Sequence, residues 1–197
     1  MRKGYLITIA LLCLVFTSNA QEENTNPSNF GLKGGYNLAA VHFDGEGETG
    51  QRHGFHIGFY GESFVSNNFA LQLELLYAQQ GYEIKNNSGT FTQKLDYINA
   101  PLMFKVYPDS NFFLEVGPQI GFAISHKETF DSSFNLFDTS QEFEPNTLDW
   151  GMNFGGGFKT DSGISLGVRY HLGLGDIYDE NGSPKNRVWQ FSIGFDL

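Results

Sequence analysis

The sequence predicts an all-β protein in which eight antiparallel strands form an up-and-down transmembrane β-barrel. Three observations carry this prediction: apolar residues recur at every second position, short and long connections alternate, and glycine is concentrated in one of the two strand phases. The 197 residues suit a single domain. The 20 Phe, 9 Tyr and 2 Trp exclude a disordered chain, because disordered chains are poor in aromatic residues.

The first 20 residues have the pattern of a secretory signal peptide. Arg2 and Lys3 precede an apolar stretch that is too short to span a membrane as a helix, and Ala20 ends a run of small and polar residues. The sequence therefore predicts a signal peptide over 1–20, a flexible lead-in over 21–28 and an outer-membrane barrel domain over 29–197.

Composition excludes several classes of function. The formal net charge of −10 argues against nucleic-acid binding. Cys13 is the single cysteine, so a disulfide scaffold and a cysteine-based metal site are excluded. The histidines show no zinc-binding spacing of the HxxxH or HExxH type, and no cofactor is expected.

Alternation of apolar and polar residues with period 2 marks eight predicted strands. Most of them reach the ~9–11 residues that a tilted strand needs to cross a bilayer, whereas soluble strands average nearer ~5–6. The predicted strands cover 29–41, 53–64, 69–82, 93–107, 112–126, 147–160, 164–174 and 188–197.

The connections between these strands alternate in length. Three are tight turns and four are longer and rich in glycine and acidic residues, which is the arrangement of short periplasmic turns and long extracellular loops in outer-membrane barrels. With an even number of strands, both termini are expected on the periplasmic side. The predicted turns are 65–68, 108–111 and 161–163, and the predicted loops are 42–52, 83–92, 127–146 and 175–187.

The two strand phases differ in a way that indicates which one faces the membrane. The polar phase holds most of the strand glycines, and the apolar phase holds only Gly34, Gly61 and Gly156. Glycine weakens a strand but fits a crowded barrel interior, so the polar phase is predicted to point inward and the bulky phase toward lipid. A soluble barrel or sandwich is the alternative. Phe55, Tyr82 and Trp189 are expected in the aromatic girdle at the outer rim.

Three stretches resemble the PorT-type outer-membrane β-barrel family of Bacteroidota, within the wider group of eight-stranded barrels similar to OmpA and OmpX. They are 95–107 (LDYINAPLMFKVY), 114–121 (LEVGPQIG) and 151–157 (GMNFGGG). Asn99 stands where a glutamate is usual in that family, and Leu197 stands where many outer-membrane strands end on an aromatic residue. The resemblance implies a barrel fold and, for some relatives, a role in assembling a secretion system.

Charged residues of the inward phase are expected to pair inside the barrel, because unpaired buried charge is costly. Lys105 and Glu115 flank one tight turn and are predicted to be neighbours, and Arg169 is predicted to reach Glu74 across the lumen. Such a network fills the interior; the alternative is a selectivity site in a narrow pore. The predicted network is Glu62, Glu74, Lys105, Glu115, Asp149, Lys159 and Arg169.

These features favour a non-enzymatic structural or assembly role. The alternatives are a narrow, porin-like channel or carrier for a small solute, and a surface lipid-modifying enzyme that uses Ser125 and His126. The expected partners are outer-membrane lipid, lipopolysaccharide and a secretion or envelope protein, with a monomeric barrel. Exposed phenylalanines of the longest loop are a candidate interaction surface: Phe130, Phe134, Phe137 and Phe143.

Overall fold

The computed structural model describes residues 28–42, 50–86, 89–132, 139–141, 147–176 and 185–197. For 42, 84–86, 89–91, 126–132 and 139–141 it describes the backbone alone. The signal-peptide prediction for 1–20 and most of the lead-in lie outside these residues.

Nine strands follow one another along the described chain. They are β1 (Ser28–His42), β2 (Gly50–Ser66), β3 (Phe69–Asn86), β4 (Gly89–Val106), β5 (Phe112–Ser132), β6 (Thr139–Gln141), β7 (Leu148–Lys159), β8 (Ile164–Gly173) and β9 (Lys185–Asp196).

Eight of these strands close into an antiparallel barrel. Each pairs with its neighbours in the order β1-β2-β3-β4-β5-β7-β8-β9, and the pairing of β1 with β9 completes the ring. The short β6 adds to β5 outside the ring. Closure gives every barrel strand two hydrogen-bonded neighbours, which is what a sheet in hydrocarbon requires.

The tight turns lie at one end of the barrel, which we call the turn end, and the longer connections lie at the other, the loop end. At the turn end, Gly163 has a φ of 82°, a left-handed conformation that glycine adopts without steric cost. Its N–H donates to the Thr160 carbonyl at 3.0 Å and closes the turn between β7 and β8.

The strands extend further toward the loop end than the sequence pattern indicates. The segment 83–92 is predicted as a loop, yet β3 and β4 stay paired to Asn86 and Gly89. The predicted loop 127–146 likewise contains the end of β5 and all of β6. Alternation of apolar and polar residues marks only the part of a strand that has one apolar face. The polar ends of the strands, which extend beyond the apolar belt, therefore go undetected.

The apolar phase faces outward around the whole barrel, as predicted. Leu73, Phe122, Phe154 and Val168 are each exposed by 42–47 %, whereas Glu74 is exposed by only 2 %. An exposed belt of this size is stable only against lipid. No helix among the described residues is long and apolar enough to cross a membrane.

One girdle residue was assigned wrongly from the sequence. Tyr82 is buried inside the barrel at the loop end, against Val41, Leu95 and Tyr97. It occupies the inward phase of β3, whereas the girdle residues Phe55 and Trp189 are exposed on the outer face.

Candidate functional site

The middle of the lumen is occupied by four charged side chains, Lys33, Glu74, Glu115 and Arg169, which we call the central cluster. The Arg169 guanidinium donates to Glu74 at 2.7 and 2.9 Å and to Glu115 at 2.8 and 3.1 Å. Lys33 Nζ lies 3.0 Å from Glu74 Oε1. The two positive and two negative charges balance, so this buried cluster has no net formal charge.

The second group of charges, the turn-end cluster, comprises Glu62, Lys105, Lys159 and Asp196. Each oxygen of Glu62 contacts one lysine: Oε1 lies 3.0 Å from Lys105 Nζ, and Oε2 lies 2.5 Å from Lys159 Nζ. Lys159 Nζ also lies 3.0 Å from Asp196 Oδ2. This cluster is likewise formally neutral, which limits the cost of burying its charges.

Neutral side chains join and complete the two clusters. Gln72 donates to Glu74 at 2.5 Å and accepts a hydrogen bond from Lys105 at 3.0 Å, so it links the clusters. Tyr107 donates its hydroxyl to Glu62, and Tyr60 donates to Asp196 at 2.5 Å. These three residues are not part of the network predicted from the sequence, although each stands at an inward position of its strand and is polar there.

Lys105 was predicted to lie beside Glu115, but its ion-pair partner in the structure is Glu62. Lys105 and Glu115 are opposite each other in the β4–β5 register, as neighbours should be, but the Lys105 ammonium contacts Glu62. It also lies 4.0 Å from the ring centroid of Phe113, within range of a cation–π interaction. The predicted reach of Arg169 to Glu74 is present.

Asp149 lies apart from both clusters. It is the second residue of β7, near the loop end, and its nearest ionisable neighbour is His171, at 3.4 Å from Nε2 to Oδ2. The structure therefore brings six of the seven predicted network residues into the two clusters and leaves Asp149 outside them.

Small residues make the space for these side chains. Glycines 58, 117 and 157 face inward, where an added Cβ would collide with a neighbouring backbone carbonyl. The cavity between the clusters measures about 20 Å³, and its lining includes Lys33, Glu62 and Arg169. That volume admits about one water molecule.

The candidate loop surface lies almost wholly outside the described residues. Phe130 belongs to β5, where its backbone pairs with Phe91 and Thr139, and nothing of its side chain is described. Phe134, Phe137 and Phe143 lie outside the described residues. Within the described ranges, no group of three or more His, Cys, Asp or Glu side chains is placed to hold a metal ion.

Comparison with known proteins agrees with this architecture. A family model described as an outer membrane protein beta-barrel domain matches residues 19–179. Ail, the attachment invasion locus protein of Yersinia pestis, is 14 % identical with a TM-score of 0.50, and the match covers 86 % of this chain and 99 % of Ail. Neisserial surface protein A is 15 % identical with a TM-score of 0.52, covering 87 % of this chain and 98 % of that protein.

At such identities the two solved structures support the fold alone, and none of the curated proteins matches the chain significantly in sequence. The family match covers most of the chain and agrees with the closed barrel and its exposed apolar belt. The chain belongs to the outer membrane protein β-barrel domain family and is an integral protein of the outer membrane.

Proposed function

We propose that this protein is a closed, non-conducting and non-enzymatic barrel that serves a structural or assembly role in the outer membrane. The observation that carries the proposal is a pair of ion pairs that each cross the full diameter of the lumen. Arg169 on β8 contacts Glu74 on β3, and Lys159 on β7 contacts Glu62 on β2.

The position of these strands in the ring makes the two contacts effective barriers. β8 and β3 are four strands apart in either direction, and so are β7 and β2. A side-chain contact between opposite walls obstructs the lumen at that height, and so blocks movement along the barrel axis. Eight-stranded barrels have an interior just wide enough for side chains to fill, which agrees with such a plug.

Conductance measurement tests this proposal against the channel alternative. The purified full chain, folded in detergent and added to planar lipid bilayers, should produce no discrete conductance steps. The double variant Glu74→Ala, Arg169→Ala removes one crossing contact and both of its charges, and it should conduct more than the parent. Discrete steps from the parent protein would refute a closed lumen and support a channel or carrier.

Folding must be verified before conductance is compared. A heat-modifiability gel, in which a folded barrel migrates differently before and after boiling, identifies variants that reach the barrel state. Leu71→Ala is a suitable control, because it shortens an outward-facing side chain of the same strand as Glu74. It should leave both migration and the absence of conductance unchanged.

We further propose a role in assembly, which is supported by the resemblance of 95–107, 114–121 and 151–157 to PorT-type barrels. On this proposal the loop-end segments or the turns contact an envelope or secretion protein. Affinity capture with the tagged full chain should recover secretion components, and deletion of 127–146 should abolish their recovery. Deletion of 177–184 is the matched control, and equal loss in both deletions would count against a role specific to 127–146.

The proposal also includes a monomeric state, contact with lipopolysaccharide and the absence of enzymatic activity. Light scattering of the detergent complex should give the mass of one chain. Incubation with labelled lipopolysaccharide or phospholipid should release no acyl chains. Release that is lost in Ser125→Ala or His126→Ala would instead support the lipid-modifying enzyme.

A further inference from the structure

Two halves of the lumen differ in how well their buried polar atoms are paired. In the central and turn-end clusters every carboxylate contacts Lys or Arg. Toward the loop end, buried side-chain atoms without a hydrogen-bond partner among the described residues belong to Gln80, Asp96, Asn99, Asp149, His171 and Asn186. Buried polar groups in folded proteins nearly always have partners, so water or an ion is needed to satisfy these atoms.

Asp149, His171 and Asn186 border two paired glycines at this end of the barrel. Gly151 on β7 is paired with Gly173 on β8. Asp149 precedes Gly151 by two residues and His171 precedes Gly173 by two, so all four face the lumen. Asn186 on β9 lies beside Gly173, where an added Cβ would be 3.1 Å from the Asn186 Cβ.

Neither glycine has room for a side chain. A Cβ at Gly151 would lie 2.8 Å from Cε1 of His171, and a Cβ at Gly173 would lie 2.8 Å from the Asn186 carbonyl oxygen. The glycine pair therefore forms a floor without side chains, bordered by a carboxylate, an imidazole and an amide.

Hydrogen bonding fixes which nitrogen of His171 is free. Asn153 donates its amide to Gln119 at 3.1 Å, so its Oδ1 accepts from Nδ1 of His171 at 2.8 Å. Nε2 is then the ring nitrogen that faces Asp149, with 3.4 Å between Nε2 and Asp149 Oδ2. A ring nitrogen tied to an acceptor while the other nitrogen is free is the arrangement of metal-binding histidines.

The spacing and chemistry of these atoms suit a metal ion. A tetrahedral ion with bonds of about 2.0–2.1 Å holds two ligand atoms about 3.3–3.4 Å apart. Imidazole nitrogen together with carboxylate oxygen suits zinc and similar ions such as nickel and copper. Asp149 is also the one inward-facing acid of the described chain without a Lys or Arg partner, so a cation would neutralise it.

We propose that Asp149 and His171 bind one divalent transition-metal ion above the Gly151–Gly173 pair. The amide oxygen of Asn186 is the third ligand, and water occupies the remaining position. The ion lies inside the barrel near the loop end, where it joins β7, β8 and β9. This site is independent of the proposed assembly role.

The test uses the full chain folded in detergent, stripped of metal with a chelator and titrated with zinc chloride by calorimetry. The parent should bind one equivalent of zinc in a saturable reaction. Asp149→Asn and His171→Gln should each weaken this binding at least about tenfold, since loss of second-shell groups alone typically costs ~10–100-fold. Cobalt chloride should give the visible absorption of a four-coordinate ion, and both variants should lose it.

His56 provides the matched control. It is buried at the same 1 % exposure as His171 and its Nδ1 also bonds an asparagine oxygen, that of Asn37 at 2.7 Å. Its Nε2, however, is occupied by Ser192 at 3.0 Å. His56→Gln should therefore bind zinc like the parent.

Several outcomes would overturn the site. The first is the absence of saturable zinc binding, which would leave an imidazolium–carboxylate pair as the explanation of the contact. The second is unchanged affinity in both ligand variants, which would place zinc on other histidines of the chain. The third is equal loss in His56→Gln. If Asp149→Asn fails the heat-modifiability gel, His171→Gln and Asn186→Ala carry the test.

Discussion

Arg169 and Glu74 are bound to each other from opposite walls of the barrel, through hydrogen bonds of 2.7 and 2.9 Å. Both residues are 2 % exposed, and their strands are as far apart in the ring as two strands can be. The contact therefore acts as a brace across the lumen, and it is the basis of the first prediction.

Arg169→Leu should destabilise the barrel by about 3–5 kcal/mol, because it leaves Glu74 and Glu115 buried with Lys33 as their nearest remaining cation. Arg169→Lys should lose less, since it keeps the charge but not the paired hydrogen bonds. Urea unfolding in lipid vesicles measures both. If Arg169→Leu were as stable as the parent, the contact between Arg169 and Glu74 would contribute nothing to the free energy of unfolding.

Tyr107→Phe should cost roughly 1.5–3 kcal/mol, because the hydroxyl donates to the buried, charged Glu62. The ring stays packed between Phe64 and Phe113, so the lost hydrogen bond is the main change. Tyr36→Phe is the control, as its hydroxyl contacts His53 on the exposed face, and its unfolding free energy should change by about 1 kcal/mol or less. Equal losses in the two variants would contradict this account.

Substitution of two glycines of β2 can show which face of the barrel wall is crowded. Gly58 faces inward, where a Cβ would collide with the Leu75 carbonyl, and Gly61 faces outward with nothing within 4 Å. Gly58→Ala should destabilise by about 1–3 kcal/mol or prevent folding, whereas Gly61→Ala should be neutral or stabilise by up to about 1 kcal/mol. Heat-modifiability gels and unfolding curves distinguish these results, and the reverse order would invert the inferred faces.

Arginine on the outer face should be costly only at the depth of the hydrocarbon. Leu75→Arg, within the exposed apolar row of β3, should destabilise by about 2–4 kcal/mol. Val65→Arg, next to the turn that follows β2, should cost about 0–1 kcal/mol. The comparison is made in lipid vesicles, and equal costs at both positions would argue against a membrane-embedded belt.

The sequence by itself determined the strand order, the two faces and the identity of most of the buried charges. Strict alternation places Leu73 and Glu74 on opposite faces whatever the surrounding structure, because successive strand residues point in opposite directions. Glycine content then indicates which face is inside, since only the crowded side excludes larger side chains. Polar strand beyond the apolar belt, such as 83–86, carries no such alternation and was missed.

Only the tertiary structure decided which charges meet at the turn end. Lys105 stands opposite Glu115 in the register, yet its ammonium reaches Glu62 two strands away. Closing a sheet into a barrel tilts and staggers its strands, so residues far apart in sequence come to the same height in the lumen. The same stagger brings Asp149 to His171 and away from the two clusters, because depth in a closed barrel depends on all eight registers together.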